Sequence, residues 1–100
     1  MGIAAKSREI GPDTILQRKQ DQLFSEIDGE VVMLSVENSE YYGMDKIGSR
    51  IWQLIEKPLP LKQIIEILLH EYEVTERQCK KDTLSFIEQL AEKELVEISD

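Results

Sequence analysis

The chain has one cysteine, one histidine, five scattered glycines and no long apolar run, and each shortage removes a class of function. Cys79 has no partner for an internal disulfide, so nothing in the chain asks for an oxidising compartment. His70 stands at no HExxH spacing and beside no cysteine cluster, which leaves metal ligation and general-base chemistry without their usual donors. The dispersed glycines form no phosphate-cradling loop. A membrane-spanning helix needs about 18 consecutive apolar residues, and a secretory signal needs an apolar core; neither occurs. Met1-Gly2 begins like a myristoylation signal, but Lys6 occupies the position where that signal wants Ser or Thr. Cations are scarce overall, with a net charge of -8, which argues against a general binder of phosphate backbones. The expectation is a cytoplasmic acidic domain that uses no cofactor and no metal.

What is present suffices for one modest core. At 100 residues and 41% hydrophobic content, the chain is sized for a single domain. Residues 1–12 show no sustained period and end in Gly11-Pro12, which reads as a mobile tail before one domain over 13–100. Thr14-Ile15-Leu16-Gln17 is a short strand or an extended lead-in. Leu23, Ser25 and Ile27 share one face of the next segment, and Asp28-Gly29 is a tight-turn signal. Glu30 to Val36 reads as a strand with Val32, Leu34 and Val36 on one face; Val31 and Met33 make the other face partly apolar. After a turn at Glu37-Asn38-Ser39 comes a third strand, Tyr41 to Met44, with Tyr42 and Met44 on one side and Tyr41 on the other. Two successive hairpins make an antiparallel meander whose middle strand is the second.

At Asp45 the period becomes helical. Asp45 is an N-cap, and Ile47, Ile51, Leu54 and Ile55 follow at i, i+4, i+7 and i+8. Lys57-Pro58-Leu59-Pro60 ends this helix, with Pro60 placed to begin the next. Leu61, Ile64, Ile65, Leu68, Leu69 and Tyr72 form the second helix's buried stripe. Thr75-Glu76-Arg77-Gln78 is a capping-box pattern that starts a third helix over about 76–93. Leu95 to Ile98 is a final short extended piece. The third helix carries an apolar arc running through Phe86, Cys79, Leu90, Thr83, Ile87, Ala91 and Leu84. That arc is wider than the ~100° stripe needed to face one core. Either the domain packs on two sides of this helix, or part of the arc lines a groove beside the Tyr41–Met44 strand.

The third strand has no obvious fourth partner and precedes only helices, so its free edge is a template for an added strand. Trp52 reads as core, while Arg50 has either an acidic neighbour or a partner protein to pair with. Glu88, Glu92, Lys93 and Glu94 read as a solvated helix face.

The turn Asp28-Gly29-Glu30, the segment Tyr41-Tyr42-Gly43-Met44-Asp45, the run Gly48-Ser49-Arg50-Ile51-Trp52 and a closing Phe86-Ile87-x-x-Leu90 together resemble a known family. Over residues 14–98 the chain is similar to the PqqD-like peptide-recognition domains, the RiPP recognition elements, and among them to the stand-alone forms of lasso-peptide biosynthesis. The resemblance implies an α+β fold of winged helix-turn-helix type, a three-stranded antiparallel sheet followed by a three-helix bundle. It also implies a non-enzymatic adaptor that binds the leader segment of a ribosomally made precursor peptide. The leader would add as a strand along Tyr41, Tyr42, Gly43 and Met44, against a wall of Cys79, Asp82, Thr83, Phe86 and Leu90 from the third helix. The implied partners are that leader, a leader-cleaving cysteine protease and a cyclase. Family members often have glycine where this chain has Glu94.

Two other classes are weighed against this one. A winged-helix DNA-binding regulator would need a basic third helix, yet Arg77, Lys80, Lys81 and Lys93 are outnumbered by Glu76, Asp82, Glu88, Glu92 and Glu94. A small enzyme would need an acid–base or nucleophile constellation, and none is found in the sequence.

Overall fold

The elements follow one another as β1 (Ile15–Arg18), β2 (Leu23–Ile27), β3 (Glu30–Ser35), β4 (Glu40–Gly43), α1 (Lys46–Leu54), β5 (Leu59–Pro60), α2 (Leu61–Glu71), α3 (Glu76–Glu92) and β6 (Val96–Ser99). These come from a computed structural model that describes residues 10–35 and 39–99. Of the tail expected over residues 1–12, residues 1–9 lie outside the described residues, as do Val36 and the Glu37-Asn38 half of the second turn, while Ile10 packs against the core and the Pro12 carbonyl accepts the Lys62 amide at 2.9 Å.

The meander forms as its turn signals require. Asp28 and Gly29 both have positive φ, 54° and 82°, which is the two-residue hairpin backbone whose twist matches its flanking strands. The sheet order is β2-β3-β4, with Phe24, Met33 and Tyr42 in one cross-strand row and Leu23, Leu34 and Tyr41 in the next.

A single three-stranded sheet was the expectation, and the structure holds two. β1 pairs with β6 and with the two-residue β5, so both extended ends of the domain and the linker between α1 and α2 meet in one sheet. Pro60 belongs to this sheet opposite Ile15. It therefore caps α2 with extended φ and ψ (-72°, 149°) instead of occupying the helix's first turn.

Two of the three helices begin on a side-chain cap. The Asp45 carboxylate accepts the Gly48 amide at 2.7 Å, and the Thr75 hydroxyl accepts the Gln78 amide at 3.1 Å, each filling an otherwise orphaned donor. α3 stops at Lys93 through a pair of bonds, Glu94 N–H to the Ala91 carbonyl and Leu95 N–H to the Leu90 carbonyl. Glu94 takes the left-handed conformation there, at φ 59°, a position usually filled by glycine.

The core lies between the helices and the inner face of the meander. Trp52, Ile51 and Ile55 of α1 and its C-cap, Ile64 and Leu68 of α2, and Ile87 of α3 are fully buried, together with Leu16. On β3 the buried pair is Val31 and Met33, while Leu34 stays 44% exposed. The core thus takes the face opposite Val32 and Leu34. Phe24 meets Trp52 edge-on at 5.7 Å, and the Arg18 guanidinium lies over both rings at 4.9 and 5.2 Å. Aromatic and cation–π contacts of this kind favour the inward setting of the sheet. Arg50 resolves to an internal pairing, a two-pronged contact with Glu71 at 2.8 Å on each prong.

Candidate peptide-binding site

β4 is the outermost strand of its sheet, and among the described residues nothing pairs with its far side. The Met44 amide donates to the Val31 carbonyl at 2.9 Å. Antiparallel alternation then turns Glu40 and Tyr42 toward β3 and leaves the N–H and C=O of Tyr41 and Gly43 pointing outward. No atom lies within 4 Å of where a Cβ on Gly43 would sit, so the face of the strand is open there too.

One hydroxyl sets the end of this edge. The Ser49 Oγ accepts the Val31 amide at 2.8 Å and donates to the Met44 carbonyl at 3.3 Å. It thereby bridges the last rung of the β3–β4 ladder where direct pairing ends, and it ties α1 to the sheet. Ser49 is completely buried, so neither backbone group has water as a substitute.

Beyond that rung a cleft of about 350 Å³ opens between α1 and α3, lined by Asp45, Ile47, Gly48, Ile51, Asp82, Ser85, Phe86 and Gln89. Phe86 is half-buried and leans on α1 so closely that a Cβ at Gly48 would lie 2.9 Å from its Cε1. The Asp82 carboxylate accepts from the Gln78 side-chain amide at 2.9 Å. At the other end of α3, the Lys93 ammonium sits 4.3 Å from the centre of the Tyr42 ring, which brings the end of α3 over the inner face of β4.

The residues expected to bind a guest therefore fall into three groups. Gly43 offers outward backbone, Tyr42 an inward half-buried ring, and Asp82 and Phe86 a wall of the cleft. Tyr41 offers backbone to the edge, but its side chain stands on the outer face at 71% exposure. Cys79, Thr83 and Leu90 are 5%, 1% and 3% exposed, and Met44 is also buried. These four are packed inside the domain and present a guest almost no surface. The Cys79 thiol is pushed up from its usual pKa, chiefly by burial, against a weak contact with the Thr83 hydroxyl. Such a thiol is a poor nucleophile. Gly48 and Ser49 were quoted in the sequence motif without a role; a glycine and a serine inside a helix's first turns, both weak helix formers, are the signal that packing demands them.

The family described as coenzyme PQQ synthesis protein D (PqqD) matches residues 30–96. The chain belongs to the PqqD family. Its fold is similar to that of TbiB1 in complex with the TbiA(beta) leader peptide, at 34% identity and a TM-score of 0.71 over 81% of this chain and 94% of that one. A lasso peptide synthetase B1 complexed with the leader peptide matches at 18% identity and a TM-score of 0.64, over 82% and 96% of the two chains. The PqqD truncation of PqqCD from Methylobacterium extorquens, a stand-alone RiPP recognition element, matches at 18% identity and 0.71, over 89% and 95%. The last two likenesses speak for the fold alone. No curated protein sequence matches this PqqD-family chain.

Proposed function

We propose that this PqqD-family domain is a non-enzymatic adaptor of lasso-peptide biosynthesis that captures the leader of a precursor peptide by strand addition to β4. It then presents the precursor to a leader peptidase and a cyclase. The observation that carries the reading is the unpaired edge at Tyr41 and Gly43, with a cleft of mixed polar and apolar lining, walled by Phe86, where the chain passes from β4 into α1. The likeness to leader-bound TbiB1 supports the same assignment. In this reading the meander is the wing of a winged helix-turn-helix and α3 is its recognition helix, used for peptide instead of DNA. α3 itself carries four carboxylates against three cations, which suits no phosphate backbone.

The energetics fit a reversible capture. Each added backbone hydrogen bond contributes a net of about 0.5–1.5 kcal/mol, and an apolar leader side chain buried in the cleft contributes about 1.5–3 kcal/mol. Ordering the leader offsets about 2–5 kcal/mol. Backbone pairing is blind to sequence, so the cleft around Phe86 and the ring of Tyr42 supply the selectivity.

The test is calorimetric titration of the cognate leader and core peptides into the domain. Saturable leader binding is expected, lost on Tyr42→Asp and weakened by Phe86→Ala, with no binding of the core peptide. Absence of binding by the leader would defeat the reading.

A further inference from the structure

The cleft between α1 and α3 is apolar at its floor and acidic at its rim. Asp82, Ser85, Phe86 and Gln89 recur at i, i+3, i+4 and i+7, so one stripe of α3 makes a wall. Ile47, Gly48 and Ile51 of α1 face it. Gly48 and Ile51 are buried and the Phe86 ring is half-buried, while Asp45 and Asp82 are exposed. No Lys or Arg lines the cleft. Lys46 instead lines a separate hollow with Arg50, and Lys80 pairs with Glu76.

Each rim carboxylate has one oxygen committed to a neutral donor and no cation beside it. Asp45 Oδ1 accepts the Gly48 amide at 2.7 Å, and Asp82 Oδ1 accepts the Gln78 side-chain amide at 2.9 Å. Among the described residues, no ion pair reaches either group. A guest that covers this rim takes both carboxylates out of water, which is costly unless the guest brings a positive charge. An anionic group drawn to the start of α1 fails, because Asp45 already caps Gly48 and two carboxylates would repel the newcomer. A wholly apolar side chain fills the floor and leaves the rim unpaired. Lys or Arg answers both halves. The aliphatic stem lies along Ile47, Ile51 and the Phe86 ring, and the charged head reaches the carboxylates. The net charge of -8 steers a basic guest in the same sense.

The cleft also continues the open edge. Asp45 follows Gly43 by two residues, at most about 7 Å of extended chain. A guest strand paired at Tyr41 and Gly43 therefore arrives at the cleft within about two residues of its Gly43 rung.

We propose that this cleft is a specificity pocket for one Lys or Arg side chain of the captured peptide, with Asp45 and Asp82 as the discriminating residues. This rests on the peptide-capture reading and adds the chemical class of the guest residue.

The experiment titrates the cognate leader into the full chain by calorimetry at low and high salt, with each Lys and Arg of the leader replaced in turn by norleucine. The parent chain is compared with Asp45→Asn/Asp82→Asn, whose asparagines keep the helix cap and the bond from Gln78; circular dichroism checks its folding. The double variant is expected to bind the unmodified leader about tenfold more weakly at low salt, with a smaller loss at high salt. One norleucine leader is expected to lose a similar factor against the parent chain and almost nothing further against the variant, the mark of a coupled pair. Equal affinity of parent and variant for the unmodified leader overturns the proposal. So does a loss that recurs in full with every norleucine leader, which would make the carboxylates structural. A cognate leader that binds without any Lys or Arg overturns it as well. Failure of the unmodified leader to bind the parent chain sinks the capture reading and the pocket together, whereas saturable binding indifferent to both carboxylates sinks the pocket alone.

Discussion

At the scale of single residues, the site depends on two small side chains in the first turns of α1. Ser49 supplies the hydroxyl that joins the Val31 amide to the Met44 carbonyl. Ser49→Ala leaves both groups buried without a partner, which costs about 1–3 kcal/mol for each unsatisfied group. Urea denaturation should show the lower stability, and native-state exchange should show faster opening of the Val31 amide. Gly48 lets the Phe86 ring approach α1. Gly48→Ala improves helix propensity by about 0.8–1.0 kcal/mol but forces the ring aside. Stability should therefore change little, while leader affinity falls in the same titration that tests Phe86→Ala.

Among the secondary-structure elements, α3 ends on a residue that is sterically ill suited to its backbone. Glu94 holds a left-handed conformation at φ 59°, which strains any residue with a Cβ by about 1–2 kcal/mol. Glu94→Gly should therefore stabilise the domain by about 1 kcal/mol, less the extra entropy of an unfolded glycine, seen as a higher urea midpoint. Glycine is the residue best suited to this helix-ending geometry, and here the helix ends in it with a glutamate.

The pairing of α1 with α2 is sensitive to pH. The bidentate Arg50 contact, and then its charge, hold the Glu71 carboxyl below its ordinary pKa against an opposing effect of burial. The folded value lies below the unfolded one, so the stabilisation is present above the usual carboxylate range and is lost as pH falls through the folded value. Both partners are partly exposed, so the gain is modest, about 0.2–1 kcal/mol. Urea melts of the parent chain and Glu71→Gln should differ at pH 7 and converge toward pH 3.

β4 gives the element-scale prediction for function. Added leader should slow exchange of the Tyr41 and Gly43 amides, which point away from β3, and leave the already paired Tyr42 amide nearly unchanged. Slowing at Tyr42 alone would mean that the guest binds elsewhere.

For the whole molecule, the clearest divide between reading the chain and seeing it lies in the sheets. The meander, the Asp28-Gly29 turn and the caps at Asp45 and Thr75 were legible because each depends on contacts within a few residues. The second sheet was not. β1, β5 and β6 are two to four residues long, and they pair across 43 to 84 positions of chain; no local period records such a meeting. The face of β3 that enters the core was also hidden, because Val31, Val32, Met33 and Leu34 are all apolar and alternation between them favours neither side. Packing of Phe24 on Trp52 and the Ser49 bridge to Val31 settle it.

The candidate site divides along the same line. The unpaired character of Tyr41–Gly43 follows from strand count and order, since a third strand followed only by helices has no local neighbour left. The wall contributed by α3 does not follow from its sequence, because an apolar arc of half a turn contains both core and groove residues. Only the seating of α3 against α1 sends Cys79, Thr83 and Leu90 inward and leaves Phe86 and Asp82 at the cleft. By itself the amino-acid order determined which segments form, where they turn and where charge is missing, since these depend on neighbours along the chain. Tertiary structure decided which face is buried and which side chains reach the groove, since those depend on residues distant in sequence competing for the same space.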